Sequence, residues 1–333
     1  MLYYSTATDQ EAYFEITEVS SNHMEKKCIT SENGAVWYWI DRHSNLNAPW
    51  IVFTHGLAAN HTMFDRQLGH FAKTYSVITW DVPFHGESKP YKHFSFANAA
   101  KELNAILAAE DIPKTILVGM SMGGYVSQQF IDAYPEKVSA FIALDTTPFG
   151  LRYYSRSDLF WQCHAGAMSA GFPDKTLRRN FAKANALSEE GRRLMLQMLA
   201  PMSKSEICLQ MSLSGNALYA ENHDIDIPCP VLIIVGEKDR TGKVPQYCKT
   251  WSEATGYPLV WIPNAAHLSN VDNWQDVNRA IEAFITPLTY TKNAAASPEP
   301  VPSLKTKPLK LAGAFNTLFG SLLRREKEQL KAK

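Results

Sequence analysis

Thr115-Ile116-Leu117-Val118-Gly119-Met120-Ser121-Met122-Gly123-Gly124 joins four apolar residues to a glycine-rich turn with one serine at its centre. The apolar run reads as a buried strand. Residues 125–133, with apolar side chains at Tyr125, Val126, Phe130 and Ile131, read as the helix that follows. A serine hydroxyl becomes a nucleophile when its backbone is held proud of the surface, a base sits beside it and amide donors face the oxyanion. Glycines two before and two after Ser121 remove Cβ atoms that would clash in so sharp a turn, which makes Gly119 and Gly123 supporting residues of a nucleophile elbow.

Working outward from this turn, Trp50-Ile-Val-Phe-Thr54, Ser76-Val-Ile-Thr-Trp80, Phe141-Ile-Ala-Leu144 and Val231-Leu-Ile-Ile-Val235 are further short apolar runs of the kind covered on both faces. Helix-like stretches between several of them, including residues 97–111, give a βαβα alternation and so a mostly parallel sheet flanked by helices. Tyr13-Phe-Glu-Ile-Thr-Glu-Val19 and Ala35-Val-Trp-Tyr-Trp-Ile40 read as opening antiparallel strands. The rhythm stops after Asp145. Residues 159–168, 175–186 and 191–202 read as short helices with no strand among them, so residues 148–227 form a helical cap inserted into the core. The core then divides into residues 1–147 and 228–290. Phe149, Tyr153, Tyr154, Phe160 and Trp161 could line a pocket under this cap or fill its core.

The chain has 333 residues with 45% apolar and 20% charged side chains, values of a globular protein. Its net charge of zero argues against a nucleic-acid role for the whole surface. Residues 292–333 carry nine Lys/Arg and three Asp/Glu, a surplus of six that leaves the rest at −6. Residues 291–308 hold four prolines and read as a stiff linker. Residues 309–333 place Leu311, Phe315, Leu318, Phe319 and Leu322 on one stripe of a basic amphipathic helix, which suits an anionic membrane, a partner groove or docking onto the body. The five cysteines are widely spaced and lack a C-x-x-C pair, pointing to buried or half-buried free thiols. No secretion signal or spanning run is read, and a cytoplasmic location is expected. No His/Cys/Asp cluster has metal-ligand spacing, so neither a metal nor a cofactor is expected. Gly236-Glu-Lys-Asp-Arg-Thr-Gly242-Lys243 misses the phosphate-loop spacing, and Val244 stands where Ser or Thr is needed.

A nucleophile at Ser121 needs three partners, and each is sought at a strand end. His55-Gly56-Leu57 follows the strand at residues 50–54, where a tight turn frees a backbone N–H. The amides of Leu57 and Met122 are the candidate oxyanion donors, Met122 because it opens the helix after Ser121. Gly56 shapes the turn, and His55 is read as a hydrogen bonder that supports it rather than as the base. Asp239, just beyond Val231-Leu-Ile-Ile-Val235, is the candidate acid, with Glu237 and Asp145 as competitors. His267 lies on the loop after Pro258-Leu-Val-Trp-Ile262 and before a last helix over residues 276–285, and is the candidate base. The chain order Ser, Asp, His is the order of α/β-hydrolase triads.

Phe53-Thr-His-Gly-Leu57, Trp80-Asp-Val-Pro-Phe-His-Gly-Glu-Ser88, Gly119-Met-Ser-Met-Gly-Gly124, Gly236-Glu-Lys-Asp239 and Ala265-Ala-His-Leu-Ser-Asn270 follow one another in the order of the α/β-hydrolase superfamily, which the chain resembles over roughly residues 12–288. Phe84 stands where that family has glycine. The resemblance implies an α/β-hydrolase fold with Ser121, Asp239 and His267 as its triad. The loop around His267 is similar to that of 3-oxoadipate enol-lactonase-like members, implying lactone or ester substrates. The same core serves carboxylesterases, thioesterases, carbon–carbon bond hydrolases, iminopeptidases and acyltransferases, and a non-catalytic ligand-binding protein could keep it. The expected partner is a small-molecule acyl substrate, cleaved through an acyl-enzyme.

Overall fold

The computed structural model describes residues 24–290. The strand expected at residues 13–19, the linker at 291–308 and the helix at 309–333 lie outside the described residues. The chain divides into two units, Met1–Asn293 and Ala294–Lys333, of which only the first contains described residues.

Eight strands form one sheet: β1 (Glu25–Ser31), β2 (Gly34–Asp41), β3 (Trp50–Thr54), β4 (Ser76–Trp80), β5 (Thr115–Met120), β6 (Val138–Leu144), β7 (Val231–Gly236) and β8 (Leu259–Ile262). Their order is β1-β2-β4-β3-β5-β6-β7-β8, with β1 and β2 antiparallel and the other six parallel. β5, at the centre, is buried at every position, as its apolar run demands. β1 was not foreseen. Its residues, Glu-Lys-Lys-Cys-Ile-Thr-Ser, are largely exposed on an edge strand whose polar character keeps the edge from pairing with another chain. Cys28 is accordingly exposed, correcting the expectation that all the thiols are buried or half-buried.

Helices α1 (Asp65–Phe71), α2 (Phe96–Ala109), α3 (Met122–Ala133), α8 (Val244–Thr255), the single turn α9 (Ser269–Asp272) and α10 (Trp274–Tyr290) flank the sheet. Two apolar layers result. Phe53, Phe64, Phe71 and Val277 belong to one, and Trp80, Phe96, Leu103, Phe130 and Phe141 to the other.

The segment between β6 and β7 holds four α-helices joined by loops and no strand, as the missing strand pattern implied: α4 (Arg156–Ser169), α5 (Asp174–Asn185), α6 (Glu189–Leu199) and α7 (Lys204–Glu221). Ser155, Ser188 and Ser203 start α4, α6 and α7 by accepting the N–H of the third helical residue, and Glu206 completes a capping box at α7. α7 eluded the periodicity reading because its buried face includes the polar Gln210 and Ser214 beside Ile207, Ala217 and Leu218, while Leu209 and Tyr219 stand exposed. It packs against α4 almost backbone to backbone. A Cβ on Gly166 would lie 2.3 Å from the Cys208 carbonyl, and one on Gly215 would lie 2.3 Å from that of Gln162. Phe149 and Tyr154 are core residues, whereas Phe160 and Trp161 are exposed on α4.

One carboxylate gathers a dense joint between cap and core. Asp272 accepts hydrogen bonds from the N–H groups of Leu187 (2.9 Å) and Ser188 (2.8 Å), from the Ser188 hydroxyl (2.7 Å), and from the N–H of Ala266 (2.9 Å). The Leu268 N–H also donates to the Asn185 carbonyl at 2.7 Å.

Two fully buried histidines hold the loops after β3 and β4 together. His55 donates from Nδ1 to the Gly56 carbonyl at 2.7 Å and accepts at Nε2 from the Val82 N–H at 3.0 Å, which fixes it as a neutral imidazole. His85 donates from Nδ1 to the Pro83 carbonyl at 3.1 Å, and its ring centre lies 5.4 Å from that of His55. Burial depresses His55 to about 4 and His85 to about 3, from an ordinary 6.5. Both are therefore protonated more readily in the unfolded chain. The stability they contribute is complete above 6.5 and is lost as pH falls towards 4, by about 3 kcal/mol for His55 alone. Thermal unfolding midpoints are expected to drop between pH 7 and 4.5, and to drop less in His85→Phe; a slope identical in that variant would contradict this account.

Candidate active site

β5 ends at Met120, and Ser121 turns the chain into α3 with φ 50° and ψ −116°, a conformation strained for any residue with a side chain. Neighbours hold it there. Its N–H donates to the Leu144 carbonyl at 2.9 Å, and its carbonyl accepts from the Gly124 N–H at 2.9 Å and the Thr146 hydroxyl at 2.7 Å. The flanking glycines are there for space rather than for φ. A Cβ on Gly123 would lie 2.1 Å from the Thr54 carbonyl oxygen, and one on Gly119 would lie 2.5 Å from that of Gly123. Gly56 has the same reason, since its Cβ would meet the Met120 sulfur at 2.7 Å. β3, β5 and α3 thus approach more closely at the elbow than any side chain there would permit.

The three residues expected to act together are in line. His267 Nε2 lies 2.9 Å from Ser121 Oγ, and His267 Nδ1 lies 2.8 Å from Asp239 Oδ2. The other Asp239 oxygen accepts the Thr241 N–H at 2.7 Å, so a turn after β7 orients the carboxylate. Ser121 is half-buried, while His267 and Asp239 are buried. Burial works to depress His267, but the Asp239 charge and its hydrogen bond outweigh it and raise the imidazole above its ordinary 6.5.

Both competitors for the acid position fall away on geometry. Glu237 is exposed. Asp145, at the end of β6, is fully buried but bonds elsewhere: one oxygen accepts the Gly236 N–H at 2.8 Å, and the other meets the hydroxyl and, at 3.3 Å, the N–H of Ser269. At the level of sequence the two aspartates are alike, each closing an apolar strand. Their partners distinguish them.

Among the described residues, the Leu57 N–H has no acceptor within reach. Met122 is the first residue of α3, so its N–H has no partner inside the helix and lies at the positive end of the helix dipole. Both amides are free to face an oxyanion. His55 bonds to the loop rather than to the triad, matching the support expected of it. Asp81 was missed. It accepts from the His61 N–H (2.7 Å) and Nδ1 (2.9 Å) and from the Glu87 N–H (2.6 Å), tying the loop after β3 to the D-x-P-x-H-G-x-S segment. Its signal in the sequence was its place directly after the strand at residues 76–80, at the head of the Trp80–Ser88 motif. Among the described residues no group of His, Cys, Asp and Glu could hold a metal, and no helix is long and apolar enough to cross a membrane.

Comparison with known proteins agrees with this architecture. A family model of the alpha/beta hydrolase fold matches residues 49–273. The 2-(acetamidomethylene)succinate hydrolase of Mesorhizobium japonicum is 25% identical over 256 residues, covering 72% of this chain and 88% of that protein. 3-Oxoadipate enol-lactonase 2 of Acinetobacter baylyi is 22% identical over 264 residues, covering 78% and 96%. Some further matches are local and span 28–40% of the relatives concerned. Among solved structures, a thermophilic esterase from Thermogutta terrifontis superposes with a TM-score of 0.66 at 19% identity, covering 80% of this chain and 99% of its own. A strand order of six parallel strands, a serine elbow at the end of β5 and a family match over residues 49–273 together establish that the chain belongs to the α/β-hydrolase fold family.

Proposed function

We propose that this protein is a serine hydrolase that cleaves a carboxylic ester, lactone or thioester through an acyl-enzyme. The observation that carries this reading is the continuous line from Ser121 Oγ through both nitrogens of His267 to Asp239. His267 takes the Ser121 proton as the hydroxyl attacks the acyl carbon, and Asp239 holds the imidazole in the tautomer with Nδ1–H while stabilising the imidazolium. The Leu57 and Met122 amides receive the charge of the tetrahedral oxygen. His267 then returns the proton to the departing alkoxide or thiolate, and in the second half it takes a proton from water, which releases the acid. The relatives named 3-oxoadipate enol-lactonase and 2-(acetamidomethylene)succinate hydrolase support a small-molecule acyl substrate here.

Ser121→Ala is expected to preserve the fold and to reduce p-nitrophenyl acetate turnover on the order of 10⁶-fold, with loss of labelling by a fluorophosphonate. Unaltered turnover would remove Ser121 from the mechanism. Asp239→Asn is expected to cost on the order of 10⁴ in kcat; a loss below about tenfold would be incompatible with its role. Because His267 must be neutral to act as the base and its pKa is raised, kcat/KM should rise with pH through a midpoint above 6.5 and fall off below it. A rate profile with its acid limb centred below about 6 would contradict the burial and charge balance described for this imidazole.

A further inference from the structure

Asp145 is the one fully buried carboxyl beside the triad that the proposed reaction leaves without a task. Its two oxygens reach two different loops. Oδ1 accepts from Gly236, three residues before Asp239, and Oδ2 meets Ser269, two residues after His267. Its own N–H donates to the Ile234 carbonyl at 2.8 Å, so the side chain springs from the sheet rather than from a mobile loop. The carboxyl is therefore a cross-tie between the turn that carries the acid and the loop that carries the base.

We infer that Asp145 is a positioning residue that works with its carboxyl protonated, clamping the Asp239 and His267 loops at a fixed separation while adding no second anion behind the imidazole. This inference rests on the serine-hydrolase reading above. The groups that face it are Asp239 and His267 across the triad, Ser269 on α9 and the buried Cys248 thiol on α8. Among the described residues it forms no ion pair with Lys or Arg. Asp239 has the imidazole and the Thr241 N–H to stabilise its charge, and two buried carboxyls that feel each other's charge cannot both ionise cheaply. Burial, then the Asp239 charge, push Asp145 far above the usual carboxylate range. A neutral carboxyl also leaves His267 facing one full negative charge instead of two, so the imidazole stays basic without being locked as imidazolium at neutral pH.

Asparagine reproduces a protonated aspartic acid here, since its oxygen can accept from Gly236 and its NH₂ can donate to the Ser269 hydroxyl. Asp145→Ala in the full chain is expected to lower kcat on p-nitrophenyl acetate by about tenfold or more with KM little changed, and Asp145→Asn to recover activity to within about threefold of the unsubstituted protein. Independently of turnover, the carboxyl carbon of Asp145, followed by ¹³C NMR and assigned through Asp145→Asn, is expected to titrate with a midpoint above about 6. A midpoint below about 5, a loss on the order of 10³ in Asp145→Asn, or full activity in Asp145→Ala would each overturn the inference. Failure of the hydrolase reading is distinguishable, because Ser121 in the unsubstituted protein would then not react with a fluorophosphonate.

Discussion

Two backbone hydrogen bonds at the carboxyl edge of the sheet set the geometry on which everything else depends: Ser121 N–H to Leu144, and Asp145 N–H to Ile234. Each continues the ladder of parallel strands one residue past the strand end, so β5, β6 and β7 finish at one level. Parallel strands joined by right-handed crossovers must all end on the same side. Ser121, Asp145 and the Asp239 turn therefore emerge along a single edge, and the His267 loop needs only to reach across from β8. Strain at Ser121 persists because the ladder, the Thr146 hydroxyl and the glycine contacts over-determine its backbone.

Much of this was legible from the residues because burial on both faces leaves a plain trace. The central strands are uninterrupted apolar runs, and the elbow glycines are required by contacts that a Cβ would break. Ser121, His267 and Asp239 could be placed at strand ends without coordinates. β1 could not be found that way, since an edge strand with charged side chains has no apolar run to betray it. Nor could α7, where Gln210 and Ser214 are buried and Leu209 and Tyr219 are exposed, so that polarity does not follow burial around its axis. The distinction between Asp145 and Asp239 was out of reach for a different reason: it depends on which donors face each carboxyl, and those donors come from segments distant in the chain.

Electrostatics and packing are divided between the two halves of the molecule. The core places charge sparingly: His55 and His85 are neutral by burial, and Asp239 has an imidazole partner. The cap contributes apolar bulk instead, with Leu177, Met195, Met198, Met202 and Ile207 continuous with the core layer that holds Met63 and Met120. Methionine side chains fill irregular space and repack readily, so this junction can adjust its packing more easily than a layer of branched residues.

The four hydrogen bonds gathered by Asp272 have a mechanical consequence. The junction of α5 and α6 shares that carboxylate with the residue before His267, so this corner of the cap cannot lift without pulling on the loop that carries the base. The other pair of cap helices is tied down as well, since Asp158 on α4 accepts from Lys243 and Tyr247 and Glu221 on α7 accepts from the Phe96 and Ala97 N–H groups at the start of α2, so the cap is anchored to the core at separate places along its length.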